Sequence, residues 1–220
     1  MKPIVVIDGA VERSSIHCFN RITRRWKNPF TYHRYNEIDF DFLDEQQQKA
    51  MIVFGSATNV TDGLKWHKDL GEIIQKKLEQ NIPVFGICFA HQLFAHLQGS
   101  KVDIVHPDGH KNTGTREIEI IKDGFGYKSG ERFHIVASHG YEIKNLSSDF
   151  IHLGTSNDCF YDAITHRELP FISFQGHPEA STDFIEHMPS GKMTRPENIP
   201  LALNDGIKIV DRFISQILDQ

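Results

Sequence analysis

The chain has 220 residues, and its 24 Lys and Arg against 29 Asp and Glu give a formal net charge of −5. That balance leaves no electrostatic footprint for nucleic acid or an anionic membrane surface. No apolar run approaches the roughly 20 residues needed to span a bilayer, and MKPIVVIDG passes into a strand too quickly for a secretory signal, so a cytoplasmic protein is expected.

Short apolar runs alternate with helix-period segments, the pattern of a mostly parallel sheet covered by helices on both faces. Ile4 to Asp8 reads as a strand and Ser14 to Trp26 as a helix, within which the basic stretch Arg21 to Lys27 is expected to be a solvated face. After the break at Asn28 and Pro29, a short strand is expected around Tyr32 to Tyr35, and Met51 to Gly55 reads as a buried strand. Leu64 to Gln80 carries Leu64, Leu70, Ile73, Ile74 and Leu78 at helical spacing. Pro83 to Cys88 is the next strand, followed by a helix from Phe89 to Gln98 that Gly99 ends.

The middle of the chain changes character. Val102 to Val105, Thr115 to Ile121, His134 to Ser138, Ile151 to Gly154 and Phe160 to Thr165 look like strands joined by turns, which predicts antiparallel additions at one edge of the sheet. Phe171 to Gln175 returns to a buried strand. Ala180 to Met188 is a helix candidate, Pro189 to Pro200 a polar loop, and Leu203 to Leu218 a helix with Ile207, Val210, Phe213, Ile214 and Ile217 on one face. The expectation is an α/β fold over residues 1–220 as one domain: an open, mostly parallel, flavodoxin-like sheet with antiparallel strands at one edge.

Two segments carry chemistry. Gly86 to Gln92 (GICFAHQ) puts Cys88 on a strand-to-helix corner, where the helix N-terminus favours a thiolate and small residues at Gly86 and Ala90 permit the sharp turn. Phe171 to Glu179 (FISFQGHPE) puts His177 at the end of another apolar strand, with Glu179 placed to fix the imidazole tautomer. A Cys88, His177, Glu179 triad is therefore expected. The Phe89 N–H is one expected oxyanion donor, and Gly55 and Ser56, at the end of the adjacent strand, are candidates for the second. The three cysteines, Cys18, Cys88 and Cys159, are odd in number and widely spaced, so reduced thiols are expected. Among 13 histidines there is no HExxH spacing, and His106 and His110 sit in a loop with Pro, Gly and Asp; neither a metal nor a cofactor is expected.

GICFAHQ and QGHPE together resemble the class I glutamine amidotransferases, whose glutaminase domain uses this type of triad. The resemblance runs from the first strand to the segment after HPE. It implies that Cys88 attacks the side-chain amide of glutamine to give a γ-glutamyl thioester and ammonia, with His177 as acid and base and Glu179 as its orienting partner. It also implies substrate contacts at Gln92 and along SHGY, from Ser138 and His139 to Gly140 and Tyr141. VFGSA stands where the family usually has a Ser-Gly-Gly-Pro loop, with Ser56 in place of the second glycine and Ala57 in place of the proline. His91, where the family is variable, is expected on the helix surface.

Either a separate synthase subunit receives the ammonia, since no phosphate-cradling GxxxxGK[ST] motif occurs in the chain, or the protein acts alone as a γ-glutamyl peptidase. Competing expectations are a non-catalytic binding module that retains the fold, a metal-binding redox protein, and an α/β-hydrolase-type elbow. The HxE pairing favours the amidotransferase over the last of these.

Overall fold

The structure, a computed structural model, describes residues 1–188 and 193–219. In chain order the strands are β1 (Ile4–Asp8), β2 (Phe30–Arg34), β3 (Ala50–Val53), β4 (Val84–Ile87), β5 (Lys101–Ile104), β6 (Asn112–Ile120), β7 (Arg132–His139), β8 (Tyr141–Asn145), β9 (Phe150–Thr155), β10 (Ala163–His166) and β11 (Phe171–Phe174). The α-helices are α1 (Ile16–Thr23), α2 (Phe40–Glu45), α3 (Lys65–Glu79), α4 (Phe89–Leu97), α5 (Thr182–Glu186) and α6 (Ile199–Leu218).

A nine-stranded sheet runs in the order β2-β1-β3-β4-β11-β10-β9-β6-β7. From β2 to β11 every neighbour is parallel, and from β11 outward every neighbour is antiparallel. The parallel strands β1, β3, β4 and β11 are buried at every position, because helices cover both faces and leave no side for polar residues. Alternate strand residues feed two cores. Ile4, Val6, Ile52, Phe85 and Phe174 meet Ile22 of α1 and Val210, Phe213 and Ile214 of α6. Val5, Ile7, Val53, Val84 and Phe171 meet Leu70 and Ile74 of α3 and Leu93 and Phe94 of α4.

The antiparallel edge is as expected, with one correction. The Val102 region does not join it: β5 pairs with β8 in a separate two-stranded antiparallel sheet. The strand expected from Phe160 begins at Ala163, since Phe160 points outward and Asp162 is held by Arg116 at 2.5 and 2.7 Å. The helix α2 is additional to the expected elements; Asp39 caps it by accepting from the Phe42 N–H at 3.0 Å. The first helix is shorter than expected, and Arg21 is no solvated cation: its guanidinium donates to Pro178 O at 3.2 Å and to Leu203 O. Residues 189–192 of the expected Pro189 to Pro200 loop lie outside the described residues. The last helix starts at Ile199 rather than Leu203, with Pro200 in its first turn, where a missing N–H costs nothing.

Candidate active site

The site forms where β4 and β11 end. They are parallel neighbours in the register Phe174↔Ile87, so the residues after each leave the sheet at the same edge. Cys88 follows β4 directly and has φ +49 and ψ −93, a conformation rarely populated by a residue with a side chain. Two bonds hold it there: its N–H donates to Phe174 O at 2.9 Å, and its carbonyl accepts from the Gln92 N–H at 3.1 Å. The corner needs Gly86 behind it, since a Cβ at that position would lie 3.1 Å from both Phe171 and Ser173. The Phe89 N–H opens α4 and has no carbonyl a turn behind it to bond.

His177 is fixed from three sides. Its backbone N–H donates to Val136 O of β7 at 2.7 Å, its Nδ1 bonds Glu179 Oε1 at 2.8 Å, and its ring packs on Phe184 with centroids 4.7 Å apart. Glu179 is buried as well. Nδ1 donates to the carboxylate, and Nε2 is buried with no hydrogen-bond partner among the described residues. Burial alone would depress the imidazole's pKa, but the Glu179 carboxylate, with Cys88 next, outweighs it and raises the value to about 10. A Cβ on Gly55 would lie 2.9 Å from His177 Cε1 and 3.5 Å from Cys88 Cβ, so sulfur-bearing and imidazole side chains converge over this glycine. Glycine is required there by the contact with His177.

A second chain of side chains reaches the sulfur. Gln92 Nε2 donates to Tyr141 O at 2.7 Å and to Gln175 Oε1 at 3.0 Å, and Gln175 Nε2 then points at Cys88 Sγ at 3.5 Å. The Tyr141 carbonyl accepts only, which settles both amide orientations along the chain. Gln175 is fully buried. Sequence reasoning missed this residue, although it is the first of QGHPE. All of this opens into a cavity of about 630 Å³ whose wall includes Cys88, His177, Ser56, Gln92, Gly140 and Tyr141.

The model of the family described as Glutamine amidotransferase class-I matches residues 7–189. The chain belongs to the class I glutamine amidotransferase family. It is 38% identical over 120 residues to a glutamine-hydrolyzing GMP synthase subunit of Methanopyrus kandleri, a stretch that is 54% of this chain and 61% of that one. The chain thus spans less than two thirds of that relative. It is 30% identical over 160 residues to the corresponding GMP synthase subunit of Thermoplasma volcanium, 71% of this chain and 72% of that one. Among solved structures, a glutamine amidotransferase from Methylobacillus flagellatus matches with a TM-score of 0.74 at 17% identity, covering 98% of this chain and 95% of that one, which is a likeness of fold.

The remaining residues expected at the site of this amidotransferase fall into two groups. Ser138, Gly140 and Tyr141 border the cavity, and the Ser138 carbonyl lies 4.0 Å from the Cys88 sulfur. His139 borders it too, but its ring is committed inward: Nδ1 donates to Tyr141 O at 3.0 Å, and Nε2 accepts from Arg116 at 2.9 Å. His139, Glu142 and Cys159 bring ligand atoms within 4.8 Å of one another. That group does not fit a cation, since both imidazole nitrogens are in use and the neighbour is a buried guanidinium. Cys18, Cys88 and Cys159 are unpaired and buried. Lys111, which no sequence motif marks, also borders the cavity, its stem 3.3 Å from where a Gly140 Cβ would stand. His91 is the clearest correction: it is a fully buried residue of α4, with Nδ1 on Ser173 Oγ of β11 at 2.9 Å, and Phe89 to Ala95 are buried all round the helix.

Proposed function

We propose that Cys88 is the nucleophile of a γ-glutamyl transfer to water, working as one domain with His177 and Glu179. The observation that carries this is the cysteine on a left-handed corner beside an imidazole whose far nitrogen is fixed by Glu179 at 2.8 Å, both on one cavity. With His177 already carrying a proton on Nε2, the sulfur adds as a thiolate to the side-chain carbonyl of glutamine or a γ-glutamyl amide. Negative charge then develops on the former carbonyl oxygen. The Phe89 N–H and the backbone N–H of Ser56 or Gly55 are its donors; neither of the latter two is bonded to another backbone group among the described residues. As the C–N bond breaks, His177 gives that proton to the departing nitrogen, leaving a thioester and ammonia or an amine. Water, deprotonated by His177, attacks the thioester; glutamate leaves, the sulfur departs as thiolate and the proton stays on His177. Gln92, Ser138, Gly140 and Tyr141 hold the amino-acid end of the substrate, and Gln175 directs an amide N–H at the sulfur.

The names of the relatives point to free glutamine as the acyl donor and to a separate synthase chain that receives the ammonia. A second reading, a γ-glutamyl peptidase acting alone, is favoured by the extent of the cavity, which continues past Cys88 to the cluster of His17, Asp183 and His187. Both readings share the acyl-enzyme, so one experiment tests them together. Glutamate release is measured from glutamine and from a panel of γ-glutamyl peptides, with the parent protein and with Cys88→Ala. The variant is expected to lose about three orders of magnitude or more in kcat. A parent-like rate would remove Cys88 from the mechanism, and a parent inert to every substrate while Cys88 resists a glutamine-mimicking alkylator would favour a binding module.

A further inference from the structure

The segment after β3 that carries Gly55 and Ser56 has no backbone hydrogen bond at Gly55, Ser56, Ala57 or Thr58 among the described residues. Side chains hold it instead. Ser56 Oγ accepts from the Thr58 N–H at 3.2 Å and lies 2.9 Å from Thr58 Oγ1, which in turn lies 3.0 Å from Nε2 of His67. Just beyond, the Asn59 N–H donates to Asp62 Oδ2 at 2.9 Å and the Asp62 N–H to Asn59 O at 2.9 Å, which fixes the far end of the loop. His67 sits in the first turn of α3 and is 3% exposed. Its ring packs on Phe89, centroids 4.8 Å apart, and on Trp66 at 4.3 Å; Trp66 itself packs on Phe89 at 5.1 Å.

The proton order along this chain follows from burial. His67 Nδ1 is buried without a partner among the described residues. A buried N–H left unpaired is rarer and more costly than an unused lone pair, so the proton belongs on Nε2. His67 then donates to Thr58 Oγ1, and the Thr58 hydroxyl donates to Ser56 Oγ. Burial lowers the imidazole's pKa, which keeps it neutral in this role.

From this arrangement we propose that Ser56, Thr58 and His67 form a positioning relay for the two oxyanion donors. One arm of His67 sets the Ser56 backbone through Thr58, and its ring face sets Phe89, so a single buried side chain fixes the spacing between donors that arise on different elements. The idea rests on the reading of Ser56 and Phe89 as those donors. The side chains of the three residues take no chemical step. They act through the backbone they hold.

The test uses Thr58→Val, which keeps the shape and removes the hydroxyl, with Thr58→Ser as the conservative restoration and His67→Phe as the second break. With a γ-glutamyl substrate that the parent turns over, Thr58→Val is expected to lower kcat by about tenfold to a hundredfold, the range set by displaced oxyanion donors, with KM changed by less than about twofold. Thr58→Ser should stay near the parent. Alkylation of Cys88 by iodoacetamide, which develops no oxyanion, should proceed at the parental rate in all variants. Independently of turnover, amide exchange at Thr58 should quicken in His67→Phe, because the Ser56 hydroxyl that protects it loses its anchor. A parental kcat in Thr58→Val, or a fall in kcat that is matched by slower alkylation, overturns the relay. If the parent hydrolyses no γ-glutamyl compound, the proposed mechanism fails while the exchange measurement still decides the relay: unchanged protection in both His67→Phe and Thr58→Val rejects it. If His67→Phe does not fold, the exchange comparison is made on Thr58→Val alone.

Discussion

Cys88 holds a backbone conformation that costs a residue with a Cβ about 1–3 kcal/mol, and the surrounding bonds to Phe174 and Gln92 enforce it. Strain at that position places the sulfur at the tip of the corner, where the first N–H of α4 and the His177 ring both face it. The cost is open to measurement. Cys88→Gly removes the Cβ that makes the conformation unfavourable, so it is expected to unfold at higher urea than Cys88→Ala, by about 1 kcal/mol, although both lack the sulfur. Equal stabilities would show that the corner is relaxed. Glycine elsewhere in a strand-to-helix junction would be expected to lose stability through its added freedom in the unfolded chain, so the sign of the difference is the informative result.

At the scale of elements, the HPE turn is held by helices that take no part in the chemistry. Arg21 of α1 donates to the Pro178 carbonyl at 3.2 Å, and Gly206 of α6 lies so close that a Cβ there would stand 2.7 Å from the same oxygen. Gly206→Ala is accordingly a test of this contact. In an unencumbered helix the change would stabilise by about 1 kcal/mol through propensity. Here it is expected to destabilise by about 1–3 kcal/mol, as overpacking does, and to lower kcat/KM by shifting His177, read by thermal unfolding and steady-state rates on the same preparation. A gain in stability with unchanged activity would mean that α6 gives way without moving the turn.

The same scale explains what is legible in the chain. The parallel strands are legible because burial on both faces turns them into unbroken apolar runs, and α3 and α6 because their apolar stripes repeat at helical spacing. The placement of Cys88 and of the bonded pair His177 and Glu179 is legible because a cysteine at a strand end and an HxE pair are each local patterns. The β5–β8 ribbon is not, since pairing partners far apart in sequence leave no periodic trace, and β8 has only Ile143 buried in its interior. The short α2 has a capping aspartate and little else. The surroundings of His91 and Gln175 are hidden for the same reason. A polar side chain bonded to a distant partner, Ser173 for one and Gln92 for the other, looks in sequence like any solvated residue.

For the whole molecule, the buried histidines set the response to pH, and their signs differ. Burial pushes His91 down from 6.5 to about 3, and His139 goes well below 6.5, first through burial and then through Arg116. Each stays neutral in the fold while its unfolded counterpart takes up a proton. Their contribution is therefore intact above 6.5 and is lost as pH falls toward about 3. His177 is raised to about 10, so its contribution is complete below 6.5 and drains away as pH climbs to about 10. The melting temperature is expected to fall on both sides of neutrality, with the acid limb weakened in His91→Asn relative to its own neutral value and the alkaline limb weakened in His177→Gln. A flat profile between about pH 4 and the unfolded value near 6.5 would contradict the assignment of neutral buried imidazoles. Among the described residues no helix is long and apolar enough to cross a membrane.

The position of β11 has a consequence for how the molecule comes into being. It is the last strand in the chain, yet it lies between β4 and β10, near the middle of the sheet. Until it arrives, β4 presents an open edge, and the cysteine at its end has neither the Phe174 carbonyl that pins it nor the histidine beside it. Ribosomal synthesis must pass Phe174 before that gap can close, which leaves a sticky, unpaired strand waiting in the nascent chain. The thiol of Cys88 is thereby kept apart from the imidazole of His177 until the architecture around it is complete.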